Sequence, residues 1–376
     1  MRALQQLTAA IVLASLSGTG TAASLRLEVT NLSDLYSLPN TVEAFGQVTD
    51  INGRGSILHR TFTFPTEAGG AGVTTEMFLE HTDGSQTRFD IPYASGSFSE
   101  VAINNNGEVA ATVFPDRSNI DLATREIWVY SASGAATRVD GFIGGMGMEN
   151  LSFNDAGQIA VSNTDEDRAF RYTPGAGWED LGSLANDGFA VPRAINNSGA
   201  VTGGTSVGAS GTITPFLFLD GSGMEDIPAP FGQGRAINDD FVVTGDGGWV
   251  WFPDEMRLEF IFMDQAFGFL HPRDINDHAS IIGASQGFSG GTFSSAGFYW
   301  DETEGYQILT NILEDPLEWN ITDAFSINND GWILATGTPR FEPNGASSWL
   351  LLRPVPEPSS LALLAGAATL LLRRRR

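Results

Sequence analysis

The segment AINNNGEV (Ala102–Val109) recurs along the chain in seven versions. The others read DINGRGSI (Asp50–Ile57), SFNDAGQI (Ser152–Ile159), AINNSGAV (Ala194–Val201), AINDDFVV (Ala236–Val243), DINDHASI (Asp274–Ile281) and SINNDGWI (Ser326–Ile333). The leading apolar residues (Ile51, Ile103, Phe153, Ile195, Ile237, Ile275 and Ile327) stand 52, 50, 42, 42, 38 and 52 apart. Asn always follows this marker, and Val or Ile stands six residues beyond it. A period of about 40–50 residues points to propeller blades before other repeat folds.

The unit has the chemistry of a tight hairpin turn. Asn opens a type I turn because its side chain bonds the backbone two residues on. Gly three residues later takes the left-handed conformation that bulges the returning strand, at Gly55, Gly107, Gly157, Gly199 and Gly331. Phe241 and Ala279 occupy that position in the other two copies, so those turns are expected to be strained or of another type.

Each repeat continues into an aromatic strand, a second turn and another strand, as in EIWVYSASGAATRV from Glu126 and TPFLFLDGSGMEDI from Thr214. Two strands around each turn make four short antiparallel strands per repeat, the content of a propeller blade. The alternating aromatics, such as Phe170/Tyr172 and Trp249/Trp251, suit packing between neighbouring blades; a sugar-stacking platform is the functional alternative. The seventh repeat ends at Arg353-Pro354, one strand short. Leu25–Val29 alternates apolar and polar residues and has no hairpin partner upstream, so it is expected to complete that blade. The expected fold is therefore an all-β, seven-bladed propeller of four-stranded antiparallel blades over residues 24–354, its ring closed by the N-terminal strand. Closure also removes the exposed edges that an open array would leave.

The remaining segments are addresses. Residues 1–23 read as a signal peptide: Arg2, the apolar run Leu7–Leu16, and the small residues Thr21-Ala22-Ala23 before Ser24. Residues 355–376 form a second module: Pro356-Glu357-Pro358, the apolar stretch Leu361–Leu372, then Arg373, Arg374, Arg375 and Arg376. As a helix that stretch reaches about 18 Å, against a hydrocarbon core of roughly 30 Å, and the arginines read as a cytoplasmic stop.

This tail is similar to the PEP-CTERM sorting signal. The resemblance implies recognition by an exosortase, a membrane enzyme that processes the tail and directs the protein to the surface of exopolysaccharide-making bacteria. The membrane then matters only through the tail, before processing. The body resembles the extracellular HAF repeat, an "AINNxGxVVG" hairpin paired with an aromatic "AFxY" strand; Ala194–Gly203 and Ala169–Tyr172 match that pattern. Together the resemblances imply location and architecture, and leave activity open.

Acidic residues outnumber basic ones 45 to 20, and the formal net charge of −25 sets the body against nucleic acid and anionic lipid as partners. The absence of cysteine excludes disulfides, Cys-based zinc sites and thiol catalysis. His59, His81, His271 and His278 are scattered without metal-ligand spacing, and neither a GxSxG elbow nor a glycine-rich phosphate loop occurs. No catalytic residue or cofactor site is singled out. Asn163, Asp165 and Asp167 alternate oxygen ligands as calcium loops do, and Asp301–Glu304 is a second acidic turn; a solvated acidic turn is the favoured reading of each over a bound ion. In such blades both hairpin turns fall on one face of the disc. The long segments Arg60–Thr75, Phe114–Thr124, Gly203–Thr214, Gln286–Ser295 and Thr338–Ser347 are expected as loops on the other, as recognition surfaces or as spacers. The expected function is that of a secreted, surface-sorted binding or structural protein of the cell surface or exopolysaccharide matrix, with polysaccharide or surface proteins as partners. The alternative is an extracellular propeller enzyme, a polysaccharide hydrolase or lyase.

Overall fold

A computed structural model describes residues 25–39, 44–63, 74–93, 96–116, 125–141, 150–163, 168–185, 188–207, 212–263, 268–289, 292–342 and 346–355. Seven four-stranded antiparallel sheets are arranged as blades 1 to 7, beginning at residues 44, 97, 152, 190, 234, 269 and 319. In blades 1 to 6 the four strands pair in chain order, innermost to outermost. Blade 7 takes Trp319–Ile327, Ile333–Pro339 and Ser348–Pro354 from the C-terminal end and Leu27–Asn31 from the N-terminal end as its outer strand. Leu27 lies opposite Pro354 and Val29 opposite Leu352. Leu27 is fully buried in the cluster shared by blades 6 and 7, with Leu25 and Val29 packed against it, while Glu28 points outward to Arg353. The expected closure and its inward-facing residues are both present.

Each Asn turn is built as its sequence suggests, with one bond more. In blade 2, Asn104 Oδ1 accepts from Asn106 N at 3.0 Å and from Glu108 N at 2.9 Å, and Gly107 N donates to Asn104 O at 3.1 Å. The five turn glycines have φ between 75° and 82°. Phe241 (φ 62°) and Ala279 (φ 56°) hold the same left-handed position, and Asn238 and Asn276 accept the same bonds. Those two turns are of the same type and are strained.

The core lies between blades, as sheets stacked face to face require. One cluster joins Val250 and Phe252 of blade 5 to Ile281, Phe298 and Trp300 of blade 6. The marker residues are all buried, and Trp249, Tyr130, Phe216 and Phe298 are wholly enclosed. The aromatics are core in the main; Phe170 and Tyr172 are half-buried against the cluster between blades 2 and 3.

Two expected loops are mostly strand. Val201–Val207 pairs with Thr212–Leu219, and Ile281–Ser289 pairs with Thr292–Asp301 up to Ser289 opposite Thr292. Their Gly/Ser/Thr composition reads as loop, but the antiparallel ladder bonds only backbone groups and continues through it. The inner strands of six blades carry a register shift a few residues before the marker, including Val48/Asp50, Pro272/Asp274 and Ala324/Ser326. Such bulges re-aim the side chains that follow them.

Candidate functional site: the axial ring and its mouth

The seven Asn turns meet around the axis. Each turn Asn is 3–5% exposed. Its Oδ1 is occupied by its own turn, which leaves Nδ2 free to donate to a neighbour. Asn52 donates to Asn104 O, Asn104 to Asn154 O, Asn154 to Asn196 O, Asn196 to Asn238 O, Asn238 to Asn276 O, Asn276 to Asn328 O, and Asn328 back to Asn52 O, at 2.8–3.2 Å. The result is a closed ring of seven amide–carbonyl bonds, one per blade. Neither the amide nor the turn carbonyl is left unpaired in a buried place, which would otherwise cost about 1–3 kcal/mol per group.

A second tier uses the residue after each Asn. Asn105 N donates to Asp155, Asp155 N to Asn197, Asn197 N to Asp239, Asp239 N to Asp277, and Asp277 N to Asn329, at 2.7–3.1 Å. Gly53 N likewise donates to Asn105 Oδ1. The tier is interrupted after Asn329, because Gly53 has no side chain to accept. A Cβ on Gly53 would stand 2.7 Å from Asn105 Oδ1, so a side chain there would require the Asn105 amide to shift.

The two tiers rim a polar cavity of about 190 Å³ on the disc axis. Asp50, Asp274 and Ser326, each placed by a bulge, enter it one position before the marker. Ser326 Oγ donates to Asp50 Oδ1 at 2.7 Å, and Asp50 Oδ1 also accepts from Ile51 N at 2.8 Å. Asp274 accepts from Ile275 N and Ile327 N, both at 2.8 Å. These groups belong to blades 1, 7 and 6, the three that flank the closure. Burial pushes the Asp50 carboxyl up to about 6, with bonds from Ser326, Ile51 and Ile103 opposing. Burial, with the charge of Asp50 added, pushes Asp274 up to about 7 against the bond from Ile327. Both carboxyls therefore hold their protons to higher pH than ordinary carboxyls do.

Chemically the site is a store of acceptors already committed to the ring. Asp155 and Asp239 each take an amide Nδ2 on the second oxygen at 2.9 Å, and Asp277 takes that of Asn329. Among the described residues, no three of His, Asp and Glu converge in a metal-binding group. Asn163 is buried in the second strand of blade 3, opposite Arg168, while Asp165 and Asp167 lie outside the described residues. Asp301 Oδ1 is taken up by Thr303 N and Glu304 N within its own turn. The leader 1–23 and the motif residues Pro356, Glu357, Pro358 and Arg373 to Arg376 also lie outside the described residues. The second tier and the acids before the marker escaped the sequence reading. Their signal is present in the aligned repeats: six of the seven residues after the turn Asn are Asn or Asp.

Residues 354–376 match the PEP-CTERM protein-sorting motif, the mark of a secreted, cell-surface-directed protein recognised by exosortase-type processing. No curated protein matches the sequence. Among solved structures, a streptogramin B lyase has a TM-score of 0.50 at 13% identity, covering 88% of this chain and 98% of that one. An acylaminoacyl peptidase from Pyrococcus horikoshii has a TM-score of 0.54 at 11% identity, covering 85% of this chain and 54% of that one. At such identities these neighbours share the fold alone.

Proposed function

We propose that this protein is a surface-displayed binding or structural component of the extracellular matrix, held by one face of the disc and recognising its partner with the rest. The observation that carries this reading is the difference between the two faces. Both described ends of the chain leave beside the Asn turns: Val355 N donates to Arg26 O at 2.9 Å, and a Cβ on Gly331 of the blade 7 turn would meet Pro354 at 3.2 Å. The sorting tail therefore begins on the Asn-turn face. The opposite face receives the links between blades, and it carries Phe231, Phe262, Phe269, Leu317 and Phe341, all more than half exposed. Of the large exposed apolar residues described, only Met256 sits on a turn of the tail-bearing face. Apolar groups concentrated on one face mark interaction sites.

The axial site supports binding over turnover, because its amides and mouth carboxylates are engaged in holding seven blades together. A leader over residues 1–23, a body over 24–354 and a sorting tail over 355–376 complete the proposed organisation. Incubating the purified body with the exopolysaccharide of its own host tests the reading. Co-sedimentation with polymer of unchanged length is expected; a fall in polymer length would establish a hydrolase or lyase instead.

A further inference from the structure

We propose that the groove between the outer strand of blade 5 and the second hairpin of blade 6 binds a glycan carrying free amino groups, of the hexosamine type. This rests on the matrix-binding reading above and assigns it a site. The groove has a volume of about 570 Å³ and is lined by Glu259, Phe260, Phe262, Trp300, Glu302 and Tyr306, together with Asp301. Phe262 is 84% exposed and Phe260 39%, an unusual outlay of aromatic surface beside a well-packed core. Trp300 is instead anchored in the cluster between the two blades, with Tyr306 packed against it, and these form a firm inner wall.

The polar groups of the wall are mainly acceptors. Arg257 bridges the groove, bonding Glu302 Oε1 at 2.7 Å as well as Glu259 and Glu255, and it lies over the Phe252 ring. Its charge is outnumbered by the three lining carboxylates, Glu259, Asp301 and Glu302. Arg257 takes Oε1 of Glu259 and Oε1 of Glu302, and the two side chains remain 38% and 51% exposed. The Tyr306 hydroxyl is bonded to Ser285 Oγ at 2.6 Å. Aromatic faces beside partly exposed carboxylates fit a ligand with an apolar ring face, many hydroxyl donors and positive charge. An amino sugar offers all three. An acidic polysaccharide is repelled by the groove and by the net charge of −25.

The test is calorimetric titration of the purified mature protein with a glucosamine hexamer, its fully N-acetylated counterpart and a hexalysine peptide. The glucosamine hexamer should bind, and the acetylated hexamer at least about tenfold more weakly. Phe262→Ala, an exposed position whose loss leaves melting unchanged, should weaken glucosamine binding about tenfold; Glu302→Gln should weaken it severalfold and reduce its salt dependence. Equal binding of the acetylated hexamer would overturn the amino-group requirement. Hexalysine binding that matches the glucosamine hexamer and is lost with Phe262→Ala would make this a basic-peptide site. Undiminished glucosamine binding by Phe262→Ala would place the glycan elsewhere on the acidic surface. If the variant still co-sediments with host polysaccharide, only the groove assignment falls; if the unmodified protein fails to co-sediment, the matrix reading falls with it.

Discussion

At the scale of the residue, the turn Asn performs three tasks with one side chain. Asn238 accepts from Asp240 N and Val242 N and donates to Asn276 O, so it fixes its own turn and docks the next blade. Asp would keep the two acceptor bonds and lose the donor, which explains why a carboxylate is absent from this position in all seven copies. Asp50 and Asp274 are a different case, since both carboxyls are raised far above their ordinary value near 3.9. The fold then favours the protonated forms. Their stabilisation is complete below about pH 4 and is lost as pH rises through about 6 and 7. Replacing Asp274 by Ser, as Ser152 already stands in blade 3 accepting from Ile195 N, should remove much of that loss. His59, whose pKa is lowered by burial, opposes the trend at acid pH, so the informative quantity is the difference between variant and parent. Denaturant unfolding at pH 5 and pH 8 should show the Asp274→Ser variant gaining relative stability by on the order of 1–3 kcal/mol at the higher pH. An unchanged difference between the two pH values would mean that the pair is ionised throughout.

At the scale of the element, the decisive piece is the five-residue strand Leu27–Asn31. It supplies the outer ladder of blade 7 and buries Leu27 completely. Fully burying one such side chain contributes about 1.5–3 kcal/mol, a large share of a domain stability of about 5–15 kcal/mol. Deleting Leu25–Asn31 should lower the melting temperature of the whole array, because blade 7 would lose its edge and the seam would open. A milder check keeps the strand. Val29 and Leu352 stand directly opposite each other, and Cα atoms so placed are about 4.5–5.5 Å apart, within disulfide range. The double variant Val29→Cys/Leu352→Cys, in a chain without cysteines of its own, should form an intramolecular disulfide and raise the melting temperature. Free thiols in the folded, oxidised protein would argue against this register.

At the scale of the whole molecule, a ring closed by both chain ends brings its two described ends side by side on one face. Arg26 and Val355 are bonded neighbours though 329 positions separate them. Among the described residues, removal of Val355–Arg376 costs the body one terminal backbone bond and no blade, so the truncated protein should fold with an unchanged melting temperature. It should appear in the medium instead of on the cell surface, measured by fractionation and immunoblotting. Retention on the cell would show that the body carries a surface attachment of its own.

Turn chemistry and strand alternation are local, so seven Asn turns in register, five of them Asn-x-x-Gly, with flanking apolar residues were enough to specify seven hairpins, four strands per blade and the missing outer strand. The turns at Phe241 and Ala279 were legible as strained or of another type, and the structure decides for strain at the left-handed position. What the Asn amide does with its Nδ2 was not legible, since its partner lies 38 to 52 residues away, and 276 away at the seam. The approach of Asp50 to Ser326 depends on ring closure, and the aim of Asp274 on a bulge that alternation does not show. The groove between blades 5 and 6 exists only where two sheets are set at a fixed angle around an axis. Local rules specify the pieces of this protein, and burial against distant neighbours decides which of their polar groups are structural and which face the solvent.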